Sequence, residues 1–184
     1  MTVNGTRARE AGVDLVRAEH AVRELMSALN LDVSPEIWSR TPARMAKAYQ
    51  EILSPPRFEA TTFENTAGYH GVVRLGKISF QSICEHHLLP FAGTAELTYV
   101  PHERVVGLSK LAWSVRHIAA RPQLQERITQ NVLDWLVETT GCEFASVRIR
   151  AVHACVTLRG VRAEAAEMLT EASVGVPPRP EPRA

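Results

Sequence analysis

The sequence predicts an α+β protein in which helices layer on one face of an antiparallel sheet. Three observations carry that prediction. Thr94 to Val100 alternates with period two, placing Ala95, Leu97 and Tyr99 on one face and Thr94, Glu96 and Thr98 on the other. Further along, two segments place apolar residues three and four positions apart, as amphipathic helices do. The order is strands, then paired helices, then strands, which suits segregated layers rather than alternating βαβ units.

Taken in order, residues 1 to about 12 are small and polar with scattered arginines, and read as a mobile lead-in. From Asp14, the positions Leu15, Ala18, Val22, Leu25 and Leu29 mark an amphipathic helix. Ser34-Pro35 and Thr41-Pro42 each join an N-cap residue to a proline at the first helical position. The second of these is expected to begin a helix carrying Met45, Tyr49 and Ile52, which Ser54-Pro55-Pro56 ends. Residues 1–56 thus form an N-terminal helical region with no chemistry of its own.

Extended segments are expected over Val72 to Leu75 and Lys77 to Ile83, then over Thr94 to Val100. A turn at Pro101-His102-Glu103-Arg104 leads into a short strand at Val105-Val106. One helix starts near Ser109 and carries Leu111, Ala112, Val115 and Ile118. A second runs from about Pro122 with Leu124, Ile128, Val132, Trp135 and Leu136, and Gly141 is placed to stop it in a left-handed conformation. Ser146 to Leu158 reads as one long strand, followed by Arg159-Gly160-Val161 and a poorly patterned segment. Residues 57–175 make up this sheet-bearing domain. Residues 176–184 form a proline-rich tail, expected to be unpacked.

Composition narrows the function. Of 184 residues, 45% are hydrophobic and 22% charged, as in ordinary globular proteins. Twenty-one basic residues nearly balance twenty acidic ones, so neither a nucleic acid nor a membrane surface is an expected partner. Three cysteines are too few for a disulfide framework. With no apolar leader and no apolar run of spanning length, a cytoplasmic, reducing setting is expected.

The chemistry gathers at Cys84-Glu85-His86-His87-Leu88-Leu89-Pro90-Phe91 and at His153-Ala154-Cys155. Strand alternation would set His153 and Cys155 on one face. Two thiols and an imidazole, drawn from a turn and a strand face, are enough for three zinc ligands with a fourth position left to water. That is the pattern of catalytic zinc, since structural sites close with four protein ligands. Cys142 has no such neighbour and reads as packing.

Four blocks stand in order: Cys84-Glu-His-His-Leu-Leu-Pro-Phe, Gly107-Leu-Ser-Lys-Leu-Ala, Gln123-Leu-Gln-Glu-Arg-Ile-Thr and His153-Ala-Cys-Val-Thr-Leu-Arg-Gly-Val. Together they resemble the GTP cyclohydrolase I family, over roughly Val22 to Gly175. The resemblance implies the tunnelling fold, an antiparallel sheet with two layered helices, assembled into a ring that is usually a homodecamer. It implies Zn2+ held by Cys84, His87 and Cys155, with His153 as the main general acid and His86 assisting. Gln125 and Glu126 would read guanine, while Ser109, Lys110 and Arg159 would grip the triphosphate of GTP. Even spacing places Arg159 on the face of His153 and Cys155 if the strand stays regular. Since Ser109, Lys110 and Glu126 come from the helical segment and the zinc ligands from turn and strand, the site is expected to be shared between chains.

Two positions depart from the family pattern. Trp113 stands where an arginine is usual three residues after the lysine, and Arg116 lies one turn further on. The usual threonine-rich stretch is here Glu167-Met168-Leu169-Thr170-Glu171, and only Thr170 keeps to it. Acidic residues near a triphosphate would repel it.

Overall fold

The computed structural model describes residues 13–177. The expectations for residues 1–12, and for the tail beyond Pro177, lie outside them. The chain divides into two compact units, one ending at Glu51 and the other beginning at Ile52.

The first unit is helical. Helix α1 covers Leu15–Ala28, and Asp14 caps it by accepting a hydrogen bond from the Arg17 backbone at 3.0 Å. Its apolar stripe is largely solvent-exposed in the single chain: Leu15, Leu25 and Leu29 face water, and Met26 is the buried residue of the helix. Helix α2 runs Pro35–Leu53 without interruption. It begins at the Ser34-Pro35 signal, and the expected start at Thr41-Pro42 is corrected. Pro42 sits inside the helix, where it forgoes one backbone hydrogen bond, and its ring is buried. The chain from Pro35 already had a cap and a compatible φ, so the second signal was redundant.

The second unit is α+β. Strands β1 (Thr62–Glu64) and β4 (Arg104–Val106) pair as a small ribbon. Strands β2 (Val73–Cys84), β3 (Pro90–Tyr99), β5 (Pro122–Gln123), β6 (Ala145–His153) and β7 (Met168–Val174) form a sheet in the order β5-β2-β3-β6-β7. Every pairing in it is antiparallel except β2 with β5, so the expected purely antiparallel sheet carries one short parallel edge. Helices α3 (Leu108–Ala119) and α4 (Gln125–Thr140) cover one face.

The core lies between those layers. Leu111, Val115, Ile128, Val132 and Leu136 meet Ile78, Ala95, Leu97, Val147 and Ile149, all buried. Burial of each large aliphatic side chain is worth about 1.5–3 kcal/mol. Gly141 ends α4 at φ +63°, as its position predicted, with its N–H bonded to the Val137 carbonyl at 2.8 Å.

Four expectations need correction. The two segments before Cys84 are one strand, interrupted by a bulge between Leu75 and Ile78 at which Lys77 has φ +57°. The helix expected from Pro122 begins at Gln125, because Pro122 and Gln123 pair with Ile83 and Cys84. The poorly patterned segment contains β7, an edge strand whose Met168–Val174 pairs with Ala145–Ala151. The strand expected to reach Leu158 ends at His153, and Ala154–Thr157 turns into a short helix, α5.

Gly93 faces Ala151 across the β3–β6 pair, and a Cβ there would lie 1.9 Å from the Arg150 carbonyl oxygen. Backbone cannot yield as a flexible side chain can. Gly93→Ala should therefore lose about 1–3 kcal/mol or more, read as a lower urea midpoint at matched protein concentration; an unchanged midpoint would contradict the close approach.

Candidate active site

The site forms where β2 ends, β3 begins and β6 ends. Between Cys84 and Pro90 the chain reverses through a turn in which the Leu88 N–H reaches the Cys84 carbonyl at 2.8 Å and Cys84 N–H reaches Leu89 at 2.9 Å. Leu88 takes the left-handed region, φ +54°, which a side-chain-bearing residue adopts only under outside constraint. Glu85 supplies part of that constraint. Arg127 of α4 donates to both its carboxylate oxygens, at 2.7 and 3.3 Å, and the Glu85 N–H bonds the Gln123 carbonyl at 3.2 Å. The Arg127 guanidinium holds the Glu85 carboxyl below the usual carboxylate range.

On this turn, Cys84 Sγ lies 3.7 Å from His87 Nδ1. Cys155 completes the group: the ligand atoms of Cys84, His87 and Cys155 all lie within 4.8 Å of one another. Cys155 arrives from α5, not from the strand face. Burial pushes its thiol pKa up and the Cys84 thiol pushes it further, while Arg159 acts weakly in the opposite sense. Two soft sulfurs and an imidazole at this spacing are a donor set for a soft divalent ion.

His153, the last residue of β6, stacks flat on Phe91 with centroids 4.3 Å apart and planes at 9°. Its Nε2 lies 2.8 Å from the Gln125 side-chain oxygen. Burial lowers its pKa, and the Glu126 carboxylate partly restores it. A cavity of about 380 Å³ opens onto these groups, its lining including Cys84, His86, His87, Glu126, His153 and Cys155. Glu167 borders the same cavity.

Glu126 therefore sits beside His153 in one chain, and the expectation that it belongs to a separate half of the site is corrected. The other anion residues lie elsewhere. Ser82, two residues before Cys84, donates to the carbonyls of Ala119 and Arg121 at 2.7 and 3.1 Å, so the C-terminal end of α3 is tied to the end of β2 that carries Cys84. Ser109 and Lys110 begin that helix, twelve residues long and hence about 18 Å from end to end. Arg159 is exposed beyond α5; it does not share a strand face with His153, because the strand has already ended.

Gln125, expected beside the guanine, is 1% exposed. Its amide nitrogen reaches the carbonyls of Ile149 and Met168 and the Thr170 hydroxyl at 3.2, 3.0 and 3.1 Å. Thr170 therefore has a structural reason to be retained among the departures around it. Glu171 pairs with Arg148, which answers much of its charge. Arg116 places its guanidinium 5.8 Å from the Trp113 ring centroid and its Nε 3.4 Å from the Ser79 carbonyl. Arg127, with its hold on Glu85, was missed as a functional residue. Its signal in the sequence was only an ordinary charge on a helix.

A sequence model described as GTP cyclohydrolase I matches residues 18–181. A protein named GTP cyclohydrolase 1 from Bacillus subtilis (strain 168) is 41% identical over 170 residues, 89% of this chain and 88% of its own. One of that name from Bacillus pumilus (strain SAFR-032) is 41% identical over 163 residues, 85% of each chain. Another, from Rhodopirellula baltica (strain DSM 10527 / NCIMB 13988 / SH1), is 40% identical over 168 residues, 89% of this chain and 72% of its own.

The donor set makes a direct prediction. Cobalt(II) titrated into the protein should saturate at one ion per chain and develop thiolate-to-metal absorption. Groups that only hydrogen-bond to a metal's ligands are worth roughly 10–100-fold in metal affinity, so Cys155→Ser, which alters a ligand itself, should weaken binding by more than that. Undiminished affinity in the variant would remove Cys155 from the group.

Proposed function

Because the chain belongs to the GTP cyclohydrolase I family, we propose that it opens the guanine ring of GTP at C8, releases formate and yields 7,8-dihydroneopterin triphosphate. One observation carries the reading: the Cys84–His87–Cys155 group, two further imidazoles and a carboxylate meet in a single cavity. Zinc suits the donors, and Cys84, His87 and Cys155 would hold it with a fourth position open. When bound, it supplies the Lewis acidity that brings the pKa of water from 15.7 to about 7.

The chain's own residues do the rest. Carbon 8 lies between two nitrogens and is a poor electrophile until one is protonated. His153 delivers that proton and takes one back later, its ring held in plane by Phe91. His86, exposed at the cavity, assists proton transfer near the ribose. Glu126 selects guanine, since a carboxylate accepts side by side from N1–H and the exocyclic amine, a pair adenine lacks. Ser109, Lys110 and Arg159 hold the triphosphate, Ser109 with the backbone N–H groups that open α3.

Lys110 stands at the far end of α3 from its own cavity, so a neighbouring chain contributes it. The assembly is a homo-oligomer of tunnelling-fold subunits, a decamer by family likeness, with active sites at subunit boundaries. The exposed apolar stripe of α1 supports association. Residues 1–56 serve as the helical region, and 57–175 as the catalytic domain. Among the described residues no helix is long and apolar enough to cross a membrane, and the enzyme works in the cytoplasm.

Purified protein given GTP should release formate and an oxidisable product with pterin fluorescence. Formate without the pterin would mean that the reaction stops at the opened ring, and neither would overturn the reading. Subunit exchange tests the shared site. Mixing inactive Lys110→Ala with inactive His153→Ala should restore activity, whereas Glu126→Ala with His153→Ala should not, because those two residues share a chain. The opposite pattern would refute the division.

A further inference from the structure

The geometry points to Gln125 as a positioning residue that fixes His153 as the Nε2–H tautomer and so reserves Nδ1 for proton transfer. Amide oxygen and nitrogen are told apart by their partners, and here the partners decide. One end of the Gln125 amide lies 3.2 and 3.0 Å from the backbone carbonyls of Ile149 and Met168. Carbonyls only accept, so that end is the NH2 group. The other end, 2.8 Å from His153 Nε2, is therefore the carbonyl oxygen. An oxygen acceptor demands a proton on Nε2.

The hydroxyls beyond Gln125 reinforce the direction. Thr129 donates to the Gln125 backbone carbonyl at 2.9 Å. The 2.6 Å contact between the Thr129 and Thr170 hydroxyls then leaves Thr170 as donor. Thr170, having spent its hydrogen, accepts from the Gln125 amide at 3.1 Å. Reversing the amide would set its oxygen against two carbonyls in a buried place, with no hydrogen between them. Gln125 is 1% exposed, so water has little access to relieve such a clash.

Phe91 holds the ring in plane and Gln125 holds one nitrogen. Among the described residues, Nδ1 of His153 has no hydrogen-bond partner. A neutral imidazole held this way accepts only at Nδ1, and the imidazolium gives up that same proton while Nε2–H stays bonded to Gln125. Gln125 thereby acts on substrate through His153. The use of Nδ1 in catalysis rests on the ring-opening reading above; the tautomer does not.

The test reads 15N-histidine-labelled, metal-loaded protein by magic-angle-spinning NMR at alkaline pH, with His153 assigned by its loss in His153→Ala. A single Nε2–H tautomer, its proton shifted downfield by a hydrogen bond, is expected. Thr170→Val should leave it unchanged, since two carbonyls still orient the amide. Gln125→Met should give a mixture of tautomers and lower kcat about tenfold or more, with KM for GTP little altered. An Nδ1–H tautomer in the unaltered protein would overturn the inference, even if Gln125→Met failed to fold. So would a Gln125→Met protein that keeps the single tautomer while KM alone rises, the result expected of a residue that touches guanine. Absence of formate from the unaltered protein would sink the ring-opening reading and leave the spectrum to decide the tautomer.

Discussion

The site depends on the register of three antiparallel strands. Ile83 faces Pro90 across β2–β3, and Phe91 faces His153 across β3–β6. Those pairings bring the ligand turn, the Phe91 platform and the His153 ring to one edge of the sheet. A slip of one residue in β6 would turn His153 to the other face, away from Phe91 and Gln125. The helices then complete what register begins, with α4 presenting Gln125 and Glu126 in its first turn beside that edge.

Much of this was legible because the sequence speaks in periods. Alternation found the core face of β3, and apolar spacing found α3 and α4. The glycine after α4 marked its end. The legibility failed where local pattern gives way to tertiary context. Cys155 was expected two residues along a strand from His153, yet the backbone turns helical at Ala154, and the thiol reaches Cys84 by a different path. The ligand set survives that error because the family resemblance assigned it, independently of strand geometry. Arg159 does not: its expected alignment depended on the regular strand. Strands β5 and β7 were invisible for another reason. One is two residues long, and the other mixes Leu169, Glu171 and Val174 among exposed positions, as edge strands do.

The acidic groups around the site differ in where they face. Glu85 is held by Arg127 beside the ligand turn, while Glu171 pairs with Arg148 in a separate pocket and does not line this cavity. Glu126 faces the cavity beside His153, where its carboxylate would meet the hydrogen-bond donors of guanine in the proposed reaction. Glu167 borders the same space, so of the two acidic departures, Glu167 and Glu171, it is the one that faces the proposed substrate. Arg116, one turn beyond Trp113, has its guanidinium engaged with that indole and with the Ser79 carbonyl.

The bulge in β2 sets the parity of everything after it. Before it, odd-numbered Val73 and Leu75 face the helices; after it, even-numbered Ile78 and Phe80 do, and so does Cys84. A strand without the extra residue would run in the opposite phase from Ile78 onward. Its apolar side chains would then face the uncovered side of the sheet, and so would Cys84. A deletion seven residues upstream could thus abolish the ligand group without altering one ligand. In any lineage of this chain, the length between Leu75 and Ile78 should be held as tightly as the cysteine itself, while position 77, at φ +57°, should drift chiefly among residues that tolerate the left-handed region, such as glycine and asparagine.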